Sequence, residues 1–166
     1  QLLQAADLSA CAQLLSGLGY DPIRDEATLQ ESLKRQREAV FTDIAKSMLI
    51  ANPDINLIYA SNEGACVGAY NGLKEINMIG KVMLIGFDSS AALKAGVRSG
   101  EIAGAITQDP VGMGYAAVAT ACKLVLGEDI GANDVDAFGV PFVDTGCYWY
   151  DATNMDEAHI APLLYD

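Results

Sequence analysis

The chain has 166 residues, 51% of them apolar and 19% charged, and 10 Lys and Arg against 22 Asp and Glu leave a net charge of −12. So apolar a composition supplies a core and argues against wholesale disorder. The acidic balance repels phosphate backbones and anionic lipid, so nucleic acid and membrane surfaces are not expected partners, and no apolar run approaches the ~20 residues that span a bilayer.

Residues 1–26 carry Leu2, Leu3, Ala6, Leu8, Cys11, Leu14 and Leu15, a helical spacing closed by Gly17-Leu18-Gly19. The chain opens at Gln1 with no basic-then-apolar leader, so a targeting segment is expected to be absent or already removed. Residues 27–51 hold neither Gly nor Pro, and Leu29, Leu33, Val40, Phe41, Ile44, Met48 and Leu49 fall mainly at helical steps. Lys34-Arg35-Gln36-Arg37-Glu38 then reads as the solvated face of that helix. Asn52-Pro53-Asp54 stops it, because proline blocks continuation and Asn and Asp favour turns.

From this stop onward strands and helices alternate. Ile55–Ala60 predicts a strand, 63–76 a helix, Val82–Phe87 a strand, and Ser89 caps a helix through about Arg98. Ile102–Thr107 predicts a third strand, Pro110 opens a helix to Leu126 that Gly127 ends, and Ala137–Val143 is a fourth extended run. This order predicts a single α/β domain with an open, parallel, Rossmann-like sheet and helices on both faces.

Ligands of open parallel sheets sit beyond the carboxyl ends of the strands. Ser61 and Asn62 follow the first strand, Asp88 the second, and Gln108 and Asp109 the third. Amides and carboxylates gathered on one rim suit a polyhydroxylated ligand, because a carboxylate accepts from adjacent hydroxyls and an amide both donates and accepts. Taken singly, Asn62, Asp88 and Asp109 read equally well as helix caps. Their joint placement favours binding.

Other motifs carry less. Gly112-Met113-Gly114-Tyr115-Ala116-Ala117 matches a dinucleotide-binding pattern, but Gln108-Asp109-Pro110 intervenes after the strand. The glycines are instead expected to permit close helix packing, and no cofactor is expected. Four cysteines at 11, 66, 122 and 147 match no zinc spacing; the even count allows two disulfides, but small buried thiols are the expected reading. The single His159 reads as a surface residue, so neither a catalytic triad nor a histidine-built metal site is expected. Tyr148-Trp149-Tyr150 reads as an edge strand before it reads as a sugar-stacking surface.

Three stretches then carry a resemblance. Ala51-Asn52-Pro53-Asp54-Ile55-Asn56-Leu57-Ile58-Tyr59-Ala60-Ser61-Asn62, Leu84-Ile85-Gly86-Phe87-Asp88, and Ser99-Gly100-Glu101 through Thr107-Gln108-Asp109-Pro110 resemble the C-terminal half of ribose-binding-protein-like solute receptors of ABC importers, a family of sugar-binding periplasmic proteins. The ending from Trp149-Tyr150-Asp151 to Leu163-Leu164-Tyr165 is similar too. The resemblance implies one lobe of a two-lobe clamp, with Asn62, Asp88 and Gln108 matching the family's sugar-binding amide, carboxylate and amide. It implies a non-enzymatic, periplasmic or extracytoplasmic receptor, lipid-anchored in a Gram-positive organism, that partners a small sugar and an ABC transporter permease. The effector-sensing part of a LacI-type regulator shares the fold and is the alternative.

The likeness covers residues 37–166, while residues 1–36 form an atypical helical segment. The family's first lobe, the opening strand of its second lobe and its sugar-contacting Arg segment have no counterpart here, so a truncated receptor is expected. The helix at 110–126 matches a segment that packs on the first lobe. It is therefore expected to recruit residues 1–16 or a second chain, as a homodimer.

Overall fold

Residues 22–165 are described by a computed structural model of the chain; the expected helix at the start of the sequence, with Cys11, lies outside them. Helix α1 (Pro22–Ala51) has proline at its first position and ends where both the backbone N–H and the side-chain amide of Asn52 reach the Met48 carbonyl, at 2.9 and 3.1 Å. Beyond it come β1 (Leu57–Tyr59), α2 (Glu63–Glu75), β2 (Met83–Phe87), α3 (Ala91–Arg98), β3 (Gly104–Gln108) and α4 (Pro110–Leu126). The chain closes with β4 (Asp134–Val135), β5 (Pro141–Phe142), β6 (Cys147–Tyr150) and a short 3-10 turn at Ala161–Leu163.

The main sheet runs β1-β2-β3-β6, with β1, β2 and β3 parallel and β6 antiparallel to β3. The mostly parallel sheet agrees with the expected α/β fold class, but its fourth strand is Cys147–Tyr150 and not Ala137–Val143. The 137–143 run breaks because the Asp136 carboxylate collects the N–H groups of Phe138 and Val140, both at 2.8 Å. That turn folds β4 and β5 into a separate two-stranded ribbon. Tyr148, Trp149 and Tyr150 take the edge-strand role: Trp149 lies against Gly104, donates from Nε1 to Asp151 at 2.9 Å, and Tyr150 is fully buried.

One face of the sheet, carrying Ile58, Leu84 and Ala105, is sealed by α2 and α3 through Cys66, Leu73, Leu93 and Val97. The opposite face leaves Leu57, Tyr59 and Met83 about half exposed. Helix α4 leaves the end of β3 and buries none of its residues. Burial pushes the Cys66 thiol up to about 12, so it stays protonated and inert, whereas Cys122 and Cys147 are exposed thiols, contrary to the expectation that they are buried.

Helix α1 lies on α2 through a close backbone approach. A methyl group on Gly68 would stand 2.5 Å from the Phe41 Cβ and 2.6 Å from the Glu38 carbonyl. The buried Thr42 hydroxyl crosses the same contact to the Gly68 carbonyl at 3.1 Å. The glycines of α4 have no such role: Gly112 makes room for the Asp109 carboxylate, and nothing lies within 4 Å of a methyl on Gly114. The close-packing account of those two glycines is therefore corrected.

These contrasts set a paired test by urea unfolding. Gly68→Ala should cost about 1–3 kcal/mol through overpacking against immovable backbone. Gly114→Ala should raise stability by up to about 1 kcal/mol through helix preference alone.

Candidate functional site

The parallel register decides what stands beside what. Tyr59 pairs with Ile85, and Phe87 with Ile106, so β1, β2 and β3 end side by side. Asn62, Asp88 and Gln108 therefore leave three adjacent strand ends in sequence order. Asn62 and Asp88 share one recess of about 470 Å³, a volume suited to a small ligand. Gln108 stands at the next strand end, outside that lining, and pairs in register with Cys147.

Each residue is held differently. Asn62 is the N-cap of α2 and its Oδ1 accepts from the Ala65 N–H at 2.9 Å. Capping thus occupies its oxygen and leaves its amide nitrogen to donate. Asp88 is no cap: Ser90 caps α3, correcting the expectation for Ser89. The Asp88 backbone sits at φ 69, left-handed, a conformation non-glycine residues seldom adopt. Its N–H donates to Ile106 O at 2.7 Å, and its carbonyl accepts from the Tyr150 hydroxyl at 3.0 Å. Backbone bonds on both sides hold the strained turn and leave the carboxylate free of the sheet. Asp109 takes the capping role, its Oδ1 accepting from Gly112 N–H at 2.8 Å.

Two contributors escape a reading of the strand ends alone. The first is the C-terminal tail. Ser89 and Thr107 are fully buried hydroxyls that need partners. They donate to the carbonyls of Tyr165 at 2.8 Å and Leu163 at 3.1 Å, while Lys94 donates to Leu164 O at 3.3 Å. This stitching brings the Tyr165 phenol to Asp88; burial, and then the Asp88 charge, hold its pKa above the usual tyrosine range.

The second is α1. Lys34 and Arg37, expected on a solvated face, line the recess with Asn62 and Asp88. Lys34 lies 3.3 Å from Glu63 at the start of α2, and that hydrogen bond raises its pKa. The signal was present in the spacing: Gln30, Lys34 and Arg37 continue the stripe that includes Phe41 and Ala45.

Among the described residues no group of three His, Cys, Asp or Glu is placed to hold a metal, and no helix is long and apolar enough to cross a membrane. His159 is exposed, 3.5 Å from Glu157.

An open, mostly parallel sheet with polar side chains at its carboxyl ends is the architecture in which α/β folds place their ligands. The sequence profile of the periplasmic binding protein domain matches residues 30–129, and the chain belongs to that family. It is 32% identical over 91 residues to a ribose import binding protein of Haemophilus influenzae, a match covering 55% of this chain and 30% of that protein. The ribose import binding protein of Escherichia coli is 33% identical over 93 residues, again covering 55% of this chain and 30% of the relative. The chain thus matches less than a third of the length of these relatives.

Among solved structures, an ABC transporter solute-binding protein of Agrobacterium vitis with bound D-fucose superposes with a TM-score of 0.65 at 28% identity, covering 77% of this chain and 41% of that one. A carbohydrate transporter solute-binding protein of Agrobacterium radiobacter in complex with D-arabinose gives 0.65 at 32% identity, covering 77% and 40%.

The contact between Tyr165 and Asp88 has a titration signature. A raised phenol pKa contributes stability that is complete below the ordinary tyrosine value of about 10 and is lost as pH rises through the folded value. Asp88→Asn removes the carboxylate's share. The Tyr165 phenolate transition, isolated by subtracting a Tyr165→Phe absorbance titration, should then move down in pH.

Proposed function

We propose that the chain is the sugar-recognising part of a solute receptor of an ABC importer, binding a carbohydrate without catalysing a reaction. The observation that supports this most is the meeting of Asn62 and Asp88 in one recess at adjacent parallel strand ends. Asn62 donates through its free amide hydrogens, Asp88 accepts from vicinal hydroxyls, and Gln108 extends the row from the third strand. Solute-binding proteins of similar fold hold D-fucose and D-arabinose, which agrees with this chemistry.

On the same reading residues 37–166 are the receptor lobe and residues 1–36 an added segment, the boundary falling within the continuous α1. The receptor works in the periplasm or another extracytoplasmic space and delivers its sugar to a membrane permease. A solved structure entitled an ABC transporter, LacI family transcriptional regulator, from Brachyspira murdochii, has a TM-score of 0.57 at 30% identity and supports a second reading as an effector-binding domain. Export from the cytoplasm in the native cell would decide for the receptor, and cytoplasmic retention for the regulator.

The role of Asn62 in binding can be separated from capping. Asn62→Asp keeps the acceptor for the Ala65 N–H and suits a helix N-terminus, so stability should hold within about 0.5 kcal/mol of wild type. It removes the donor, so calorimetry against a pentose and hexose panel should show binding weakened about tenfold or more. Unchanged affinity in this variant would make Asn62 a cap and nothing else.

Helix α4 is the proposed contact surface for a second copy. Val111, Tyr115, Val118 and Val125 are 79%, 78%, 66% and 88% exposed on a helix whose only charge is Lys123. Sedimentation should give a dimer that Val118→Asp converts to monomer; a wild-type monomer at high concentration refutes the contact.

A further inference from the structure

We infer that Arg37, on α1, is a ligand-binding residue of this recess, and that the carbohydrate it helps to hold is uncharged. The inference rests on the proposed sugar-binding role of Asn62 and Asp88, and it extends the site to an element outside the strand ends.

Geometry comes first. Helix α1 crosses α2 at Thr42 and Gly68, and Lys34 meets Glu63 at the first residue of α2. The turns of α1 before Lys34 therefore run past the start of α2. Twelve residues at 1.5 Å each carry the helix roughly 18 Å beyond that point. On the stripe facing α2, α1 presents Phe41 and Ala45 where it packs, then Arg37 and Lys34 alongside the start of α2 and Gln30 beyond it, and these three polar residues line the recess. A stripe that only met solvent has no reason to border the recess that holds Asn62 and Asp88.

Charge comes next. Glu31 is engaged by Arg35 at 3.2 Å, and Lys34 by Glu63 at 3.3 Å. Among the described residues Arg37 and Asp88 have no ion-pair partner, and Arg37 donates only a long 3.4 Å bond to the Leu33 carbonyl of its own helix. The apolar shelf of Leu33, Val40 and Phe41 borders Arg37 and suits its methylene stem, and the same residue lines the recess. The recess thus offers one guanidinium and one carboxylate without ion-pair partners, the carboxylate with the Tyr165 phenol beside it, and their charges cancel.

A sugar hydroxyl fits between such groups, since it donates its hydrogen to Asp88 and accepts from Arg37 through its lone pairs. Charged ligands fit less well. A uronate or sugar phosphate gains Arg37 but is repelled by Asp88, and an amino sugar gains Asp88 but is repelled by Arg37.

The test is isothermal titration calorimetry of the full chain with uncharged pentoses and hexoses and the matching uronates. The variants are Arg37→Gln, Arg37→Lys and Asp88→Asn. Wild type should bind an uncharged sugar and not its uronate. Arg37→Gln should weaken that sugar about ten- to a hundredfold, the range for bonds to charged groups, while the melting temperature stays that of wild type. Arg37→Lys should fall between them, because a lysine keeps the charge but not the planar fork. Wild-type affinity in Arg37→Gln alongside lost binding in Asp88→Asn overturns the role of Arg37 and leaves the proposed function standing. Tighter binding of a uronate than of its parent sugar overturns the ligand class. Absence of binding by any sugar to wild type overturns both the inference and the reading it rests on.

Discussion

Parallel hydrogen bonding between β1, β2 and β3 is the constraint on which the rest of the molecule depends. Parallel neighbours end at the same edge of the sheet, so whatever residues follow them are gathered without a dedicated loop. Between parallel neighbours the chain must also return to the far edge through a helix, as α2 and α3 do, and each helix needs its first N–H groups satisfied. The demand for caps and the supply of ligand groups thus fall on the same few positions. In the proposed reading Asn62 meets both with one side chain, its oxygen turned to Ala65 and its nitrogen left to donate. The two tasks separate after β2: Ser90 caps, and Asp88 is held in a left-handed turn by bonds to Ile106 and Tyr150.

The tail and α1 close on this edge from two sides for reasons that begin in the core. Buried Ser89 and Thr107 take partners from the backbone of residues 163–165, and these bonds, with Ile160 and Leu164 packed on the core, fix where Tyr165 ends. Arg98 of α3 grips Asp156 through two bonds of 2.9 and 2.8 Å, anchoring the same segment further back. Helix α1 owes its place to the glycine gap on α2, and its length then carries polar residues over the recess. Rigid packing at Gly68 and Thr42 therefore sets the position of Arg37 and Lys34, roughly one and a half and two turns away along the helix.

Much of this was legible in the sequence, for identifiable reasons. Near-continuous apolar runs separated by capped helices gave the three parallel strands, and Asn52-Pro53-Asp54 and Gly127 marked helix ends by their chemistry. The rim followed from strand order alone. What escaped was non-local. Ala137–Val143 has the composition of a strand, but a side-chain turn at Asp136 splits it. Tyr148-Trp149-Tyr150 was legible as an edge strand, but its closing of the main sheet against β3 in place of the 137–143 run was not. The basic cluster of α1 resembles any wet face, because nothing local says that the helix outruns its partner. Exposure of Cys122 on α4 was equally hidden, since an apolar helix predicts burial and this one buries nothing among the described residues.

The central claim is that one edge of the sheet grips a carbohydrate. Backbone amide shifts of the isotope-labelled chain, recorded by NMR while a bound sugar is titrated in, test it most directly. The account predicts that the largest shifts fall at residues 61–64, 87–90 and 107–109 and on the turns of α1 around Lys34 and Arg37. Shifts concentrated instead on α4 and the β4–β5 ribbon, with the strand ends unmoved, would contradict it.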